Sequence, residues 1–407
     1  MTLAKPASPG GAQHRDRRAL VAVASQFFVN GAVFGSVGPR LPEIRDQVGI
    51  TASQVGLMMS IAGLGGLIGS AAAGRSIARF GSRRVMLTAA TVVAMALPLV
   101  GVAGGPVVLA IGLMMLMTFD VPVDVAMNLQ GSWLSARRSI PVMNRLHGLW
   151  SLGTVAGGVM SSQLAQAGVP IRNHLFGASA VLLILLALIS RGLLTTDESA
   201  VAEDPQPGAH RNEPSRTSAS LSGRPRRVGL VLLGLAGYTA LAVEATSLDW
   251  PAFRFTDDLG TSPSTAAWAY VAVTGGMTLG RFAGDSAAVA LGKERLVDVA
   301  IVVNVVGLVL ATMVDTVAAG LIGYAAAGIG VSVFLPEIYD QAAKFPGRPG
   351  SGLGALTAGL RLAALTVPLL VGALIATVGT IGGAVALCAI PSAFGFGAVA
   401  RLGRRIR

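Results

Sequence analysis

Long apolar stretches alternate with short polar ones along this 407-residue chain. Twelve apolar segments stand out, at roughly 18–39, 52–74, 85–104, 106–128, 146–167, 173–192, 228–248, 263–283, 297–314, 316–336, 352–376 and 379–400. Each is near the ~20 residues that an α-helix needs to cross the hydrocarbon core of a bilayer. The pattern predicts an all-α membrane protein with twelve transmembrane helices, whose connecting segments fall on alternate sides. Between the second and third segments lies Gly74–Arg84, GRSIARFGSRR, with four arginines and no acid. Its spacing predicts a tight basic loop over 75–84.

Composition agrees with the pattern. The chain is 53% hydrophobic and 13% charged, against about 25% charged in soluble domains. Its 53 glycines suit helices that pack closely inside lipid. A single cysteine, Cys388, excludes an intramolecular disulfide and a cysteine metal cluster. Only three of the 31 basic residues are lysine, a bias that points to a GC-rich, bacterial genome. The net charge of +11 first suggests nucleic acid, but its distribution does not. With Arg191 and Arg281 assigned to helix ends, one side of the membrane receives 26 of the 31 basic residues. The other receives Arg40, Arg45, Arg172 and Arg254, and Arg361 lies within a helix. This split predicts that both termini are cytoplasmic. The first apolar segment is too long for a cleaved signal peptide and reads as a retained helix.

No soluble-enzyme constellation is present. The sequence has no GxxxxGK[ST] phosphate loop, and its four histidines, at 14, 147, 174 and 210, lack metal spacing. The expectation is a protein that is not an enzyme, needs no cofactor or metal, and binds no nucleic acid.

Residues 193–227 form the one long polar stretch, rich in Pro, Ser and both charge signs, and read as a flexible linker. They divide the chain into six-helix halves at 1–192 and 228–407. The halves echo one another. Gly65-Gly66 is followed by Gly74 and the basic loop; Gly275-Gly276 is followed at the same spacing by Gly284, then Asp285, Gly292, Lys293 and Arg295. The offset is 210 residues, and such repeats are a signature of secondary transporters.

On these residues the chain resembles the major facilitator superfamily (MFS), whose loop between helices two and three typically reads G-x-x-x-D-R-x-G-R-R. Gly74, Arg79, Gly81, Arg83 and Arg84 fall on or next to that pattern. Ala78 replaces the acid and Ser82 a basic residue. The strings GPRLPEIRDQVGI (38–50), DVAMNLQG (124–131), RLHGLWSLGTVAGG (145–158) and TLGRFAGD (278–285) resemble an uncharacterised bacterial inner-membrane branch, distantly related to fucose permease-type symporters. The resemblance implies two pseudo-symmetric halves that rock about a central cavity, with the basic loop and its copy at Gly284 and Asp285 closing the cytoplasmic side. It also implies a cavity lined by helices one, four, seven and ten, a coupling acid in helix four, and a monomer. Gly153, Gly157 and Gly158 match part of a glycine-rich helix-five motif of drug–proton antiporters, although Thr154 stands where that motif has proline.

Ionisable groups inside the membrane are the first functional suspects, because a charge at the centre of a spanning helix costs about 2.5–3.5 kcal/mol on insertion scales. Asp120 and Asp124 are four apart, so they share a helix face that Asn128 continues. Two carboxylates one turn apart in a low dielectric do not both ionise readily, which suits reversible protonation. A structural pairing of Asp124 with His147 or Arg145 is the alternative. His147 is either a relay partner or a structural hydrogen-bonding group for Asn128 or Ser151. Glu244, near the outer end of helix seven, either coordinates a polar solute or caps a solvated helix end. Arg361 either binds an anionic group, neutralises an acid of the other half, or snorkels to the surface. Gln26 and Asn30 are polar positions of helix one, placed towards the cavity by the resemblance. Phe27, Phe28, Phe34, Trp150 and Trp268 could stack on a ring or simply pack.

Together these features predict a secondary transporter of a small organic solute in the bacterial inner membrane, with protons and lipid as its other partners. Efflux of a drug-like compound and uptake of a sugar-like one both stay open. A non-transporting membrane receptor or assembly partner that reuses the fold is the rival from another class.

Overall fold

A computed structural model describes residues 9–138, 140, 142–195, 224–346 and 350–405. Twelve long helices run through the described residues. They are α1 Pro9–Val37, α2 Ala52–Phe80, α3 Ser82–Gly101, α4 Pro106–Arg138, α5 Met143–Gln166 and α6 Ile171–Ser190. After the undescribed stretch come α7 Arg224–Asp249, α8 Pro263–Leu291, α9 Lys293–Met313, α10 Val317–Val331, α11 Ser351–Val378 and α12 Ile381–Arg405. Ten spans are long and apolar enough to cross a membrane. The other two helices, α5 at 24 residues and α8 at 29, match them in length. The last turns of helix ten break at Ser332-Val333 and resume as a short helix, Phe334–Ala343.

The basic loop expected at 75–84 is not a loop. α2 continues through Gly74 and Arg79 to Phe80, one residue turns the chain, and Arg83 and Arg84 already belong to the first turn of α3. That residue is Gly81, at φ 79 and ψ 151, a backbone region essentially reserved for glycine. Gly292 makes the same joint between α8 and α9, at φ 77 and ψ 151. The two joints lie 211 residues apart. So do the left-handed turn glycines Gly49 and Gly260, and Gly168 and Gly379. The N-cap residues Thr51 and Ser262, whose side chains accept from the amides of Gln54 and Thr265, keep that spacing too.

The structural repeat is therefore 211 residues, one longer than the glycine match suggested. A slip of one residue turns a helix face by about 100°. In the true register Gly65 and Gly69, packed on Thr118 of α4, correspond to Gly276 and Gly280, packed on Ala325 and Ile329 of α10.

The expected linker also shrinks. Leu193 and Leu194 are fully buried. Gln130 binds the backbone of Leu194 on both sides, and Arg15 donates to the carbonyls of Gly192 and Leu193. α7 already begins at Arg224. The rest of the linker lies outside the described residues.

Glycine seams hold the helices together. A Cβ on Gly31 of α1 would lie 2.0 Å from the Trp150 carbonyl oxygen, and one on Gly153 of α5 would lie 2.1 Å from that of Phe28. Gly153 and Gly157 of the helix-five motif thus lie in the α1–α5 seam, while Gly158 packs on Tyr270 and Val271 of α8. Prolines shape the α2 contacts. Pro122 and Pro368 lack an N–H, which frees the carbonyls of Thr118 and Ala364 four residues back. Gly69 and Gly63 of α2 lie against those two carbonyls.

The halves meet along α2 with α11 and α5 with α8. On the side opposite the termini, Arg45 pairs with Asp257 and stacks 5.4 Å from the Phe253 ring. Ser162 of α5 donates to the Ser264 carbonyl of α8 at 2.8 Å. On the terminal side, ion pairs among the described residues join groups of the same half: Arg137 with Asp16, Asp340 with Lys293 and Lys344, and Arg401 with Asp298. The molecule is latched across the halves on the side away from its termini.

Arg45→Ala should loosen that latch by up to about 1 kcal/mol, the usual range for exposed pairs. Ser162 is 1% exposed. In a Ser162→Cys, Cys388→Ser background, Arg45→Ala is expected to speed labelling by an impermeant maleimide about fivefold. An unchanged rate would mean that the pair does not hold the side shut.

Candidate functional site

Polar side chains converge where the two halves meet. Asn30 of α1, only 4% exposed, donates through Nδ2 to Asp120 Oδ1 of α4 at 2.9 Å. Trp150 Nε1 of α5 approaches Asn30 Oδ1 at 3.4 Å. Arg281 of α8 sits 5.7 Å from the Trp150 ring and donates to Ser151 Oγ at 2.5 Å. The same guanidinium reaches Glu244 of α7 at 3.9 Å. A continuous chain, Asp120–Asn30–Trp150–Arg281–Glu244, thus joins an acid of one half to an acid of the other.

Asp124 accepts from Asn128 Nδ2 at 2.9 Å within its own helix. His147 contacts the Phe27 ring at 5.3 Å, edge-on, and its carbonyl accepts from Ser151. Among the described residues neither His147 nor Arg145 forms an ion pair with Asp124. Arg361 of α11 donates to Ser70 of α2 at 3.2 Å. It lies within electrostatic reach of both Asp120 and Asp124. Tyr339, on the short helix after α10, lies within electrostatic reach of Asp124, Arg361 and Glu244.

Several sequence expectations move. Arg281, expected at a helix end, lies well inside α8, bound to Ser151 and Glu244; it leaves the cytoplasmic count and joins the site. Its only sequence signal is its lone position within an apolar segment. Glu244 is 9% exposed and faces Arg281 rather than a solvated helix end. Gln26 is 1% exposed and lies inside the N-terminal half, in a small apolar pocket with Val29, Val93 and Leu182. Phe34 lies 6.4 Å from the Trp150 ring. Of the expected gate residues, Gly74 and Gly284 sit in mid-helix, where an added Cβ would meet open space, and Arg79 stacks on Phe80 at 5.2 Å. The Asp285 side chain lies outside the described residues.

The Glu244–Arg281 pair has a direct test. Removing one partner of a buried pair costs about 3–5 kcal/mol, because the other charge is stranded. Arg281→Gln is therefore expected to lower Tm well below that of the Glu244→Gln/Arg281→Gln double variant. Equal Tm values would show that the 3.9 Å contact contributes nothing.

Twelve helices in two repeated sets of six, ten of them within spans long and apolar enough to cross a membrane, meet at a buried polar cluster and define a multi-pass membrane transporter fold. Comparison with known proteins agrees. The model of the Major Facilitator Superfamily matches residues 23–249, and the chain belongs to that family. It is 26% identical over 316 residues to an uncharacterised MFS-type transporter of Yersinia pestis, covering 78% of each chain. It is 25% identical over 324 residues to the membrane protein MosC of Rhizobium meliloti, covering 80% of this chain and 75% of that one. Among solved structures, the nucleoside transporter NupG superposes with a TM-score of 0.66 at 12% identity, over 95% of this chain and 98% of the other. A bacterial homologue of the human lysosomal transporter Spinster, in an inward-facing and occupied conformation, gives 0.61 at 13% identity, over 95% and 96%. These likenesses show the fold.

Proposed function

We propose that this transporter moves a small organic solute by alternating access, coupled to protons through Asp120. One observation carries the coupling. The Asp120 carboxylate accepts a hydrogen bond from a neutral amide, Asn30, and is linked through Trp150 and Arg281 to Glu244 in the other half. A neutral donor binds either protonation state, so Asp120 can load and release a proton without losing its place. Each change of its charge alters the field on the chain that spans the halves.

The two six-helix halves, 1–192 and 228–407, rock as bodies joined by a cytoplasmic linker. The terminal side carries most of the basic residues, and the positive-inside rule places it in the cytoplasm of a bacterial inner membrane. The latch at Arg45–Asp257 then closes the outer side, so this conformation faces inwards. The protein works as a monomer, without cofactor.

The test is a solute screen in inverted membrane vesicles with an imposed pH gradient. Addition of a transported solute is expected to dissipate the gradient in vesicles that contain the protein and not in vesicles that lack it. The sign of solute movement gives the direction, export or import. A non-transporting receptor would bind solute and move no protons.

A further inference from the structure

The two arginines of the site differ in what already occupies them. Arg281 is committed to Ser151, to the Trp150 face and to Glu244. Arg361 makes one hydrogen bond, to Ser70, and among the described residues no carboxylate lies within 4.0 Å of it. A guanidinium has five donors in a planar fork. Holding such a charge within a spanning helix is expensive, and a fixed fork with one donor used is built for an acceptor that arrives from outside the chain.

The surroundings narrow the acceptor. Asp120 and Asp124 lie within electrostatic reach of Arg361, and so does Tyr339, which is 44% exposed. One unpaired cation balances one negative charge. A phosphate dianion would bring a second charge next to two acids, whereas a carboxylate fits the fork with two parallel bonds. Asp124, whose Oδ1 accepts from Asn128, keeps acceptor capacity for a hydroxyl or ammonium group.

Resting on the transporter reading above, we propose that Arg361 is the subsite for the carboxylate of the solute, and that the solute is a small organic acid bearing a hydroxyl or ammonium donor. The carboxylate takes donors that the Ser70 bond leaves free, so that bond between α11 and α2 can persist with solute bound.

The experiment measures binding on purified protein in detergent, by the rise in Tm with matched probes: lactate and lactamide, gluconate and glucose, alanine and alaninamide, 4-hydroxybenzoate and 4-hydroxybenzamide. At least one acid is expected to stabilise the wild type while its neutral or amide partner does not. Arg361→Gln should weaken that acid at least about tenfold, as expected for a lost hydrogen bond to a charged group. Arg361→Lys keeps the charge but not the fork, should fold if Arg361→Gln does not, and should still bind more weakly than wild type. Ser70→Ala should retain binding. Stabilisation by the neutral members as strong as by the acids, by no acid, or by acids equally in Arg361→Gln and Arg361→Lys, overturns the assignment. Binding is read without a proton gradient. A protein that binds acids but leaves the vesicle gradient intact fails as a coupled transporter alone. One that moves protons with neutral solutes fails here alone.

Discussion

Asp120→Asn is expected to collapse pH-driven accumulation of solute while leaving solute exchange across the membrane intact. The argument is one of isosteric replacement. Asparagine keeps the size of aspartate, and its Oδ1 can still accept from Asn30 Nδ2, the bond seen at 2.9 Å. It cannot exchange a proton. Each pH unit is worth about 1.36 kcal/mol, so a gradient of two units can sustain an accumulation of about a hundredfold per proton. The variant should fall to a ratio of about 1, the limit of passive equilibration. Counterflow of labelled against unlabelled solute supplies the control, since exchange needs the conformational cycle and not the proton. Full accumulation in Asp120→Asn would remove Asp120 from the coupling scheme. Loss in Asp124→Asn alone would move the proton one helical turn.

Gly153→Val is expected to lower stability sharply, as Gly31→Val should from the other side of the α1–α5 seam, and to disturb the site with it. A Cβ at this position lies 2.1 Å from the Phe28 carbonyl oxygen, so α1 and α5 must separate. Overpacking typically costs about 1–3 kcal/mol, and a backbone contact this close belongs at or above the top of that range. The same seam sets the 3.4 Å approach of Trp150 to Asn30, so transport should fall even in protein that still folds. Gly74→Ala is the counterpart. No atom lies within 4 Å of a Cβ there, and replacing a mid-helix glycine should raise stability by roughly 0.5–1 kcal/mol. Thermal loss of the monodisperse peak in detergent measures both. A Gly153→Val protein as stable as wild type would mean that the seam is looser than its geometry.

The apolar periodicity makes the helices legible, because spanning segments need length and hydropathy and little else. Their ends are less so. The polar run after Gly74 reads as loop because arginine and serine are hydrophilic, yet a helix that leaves the bilayer can carry them; the turn needs only Gly81. The repeat is visible in glycines but one residue out of register, since adjacent glycines at 65–66 and 275–276 align in two ways and only packing chooses. Asp120, Asp124 and Asn128 stand out by their shared face. Arg281 escapes because its partners come from other helices, Ser151 from α5 of the other half and Glu244 from α7. Gln26 and Asn30 are four residues apart and line the same small apolar pocket, but only Asn30 reaches Asp120.

The single-glycine joints make the helix pairs into levers. Gly81 and Gly292 adopt the same φ and ψ within two degrees, and one residue leaves no slack to stretch. A push on the C-terminal end of α2 must therefore swing α3 with it, as α8 must swing α9. Spin labels on α2 and α3 should keep a constant separation throughout the cycle, while a pair on α2 and α11 changes. The elbows are the rigid parts of the machine, and its play lies in the seams between halves.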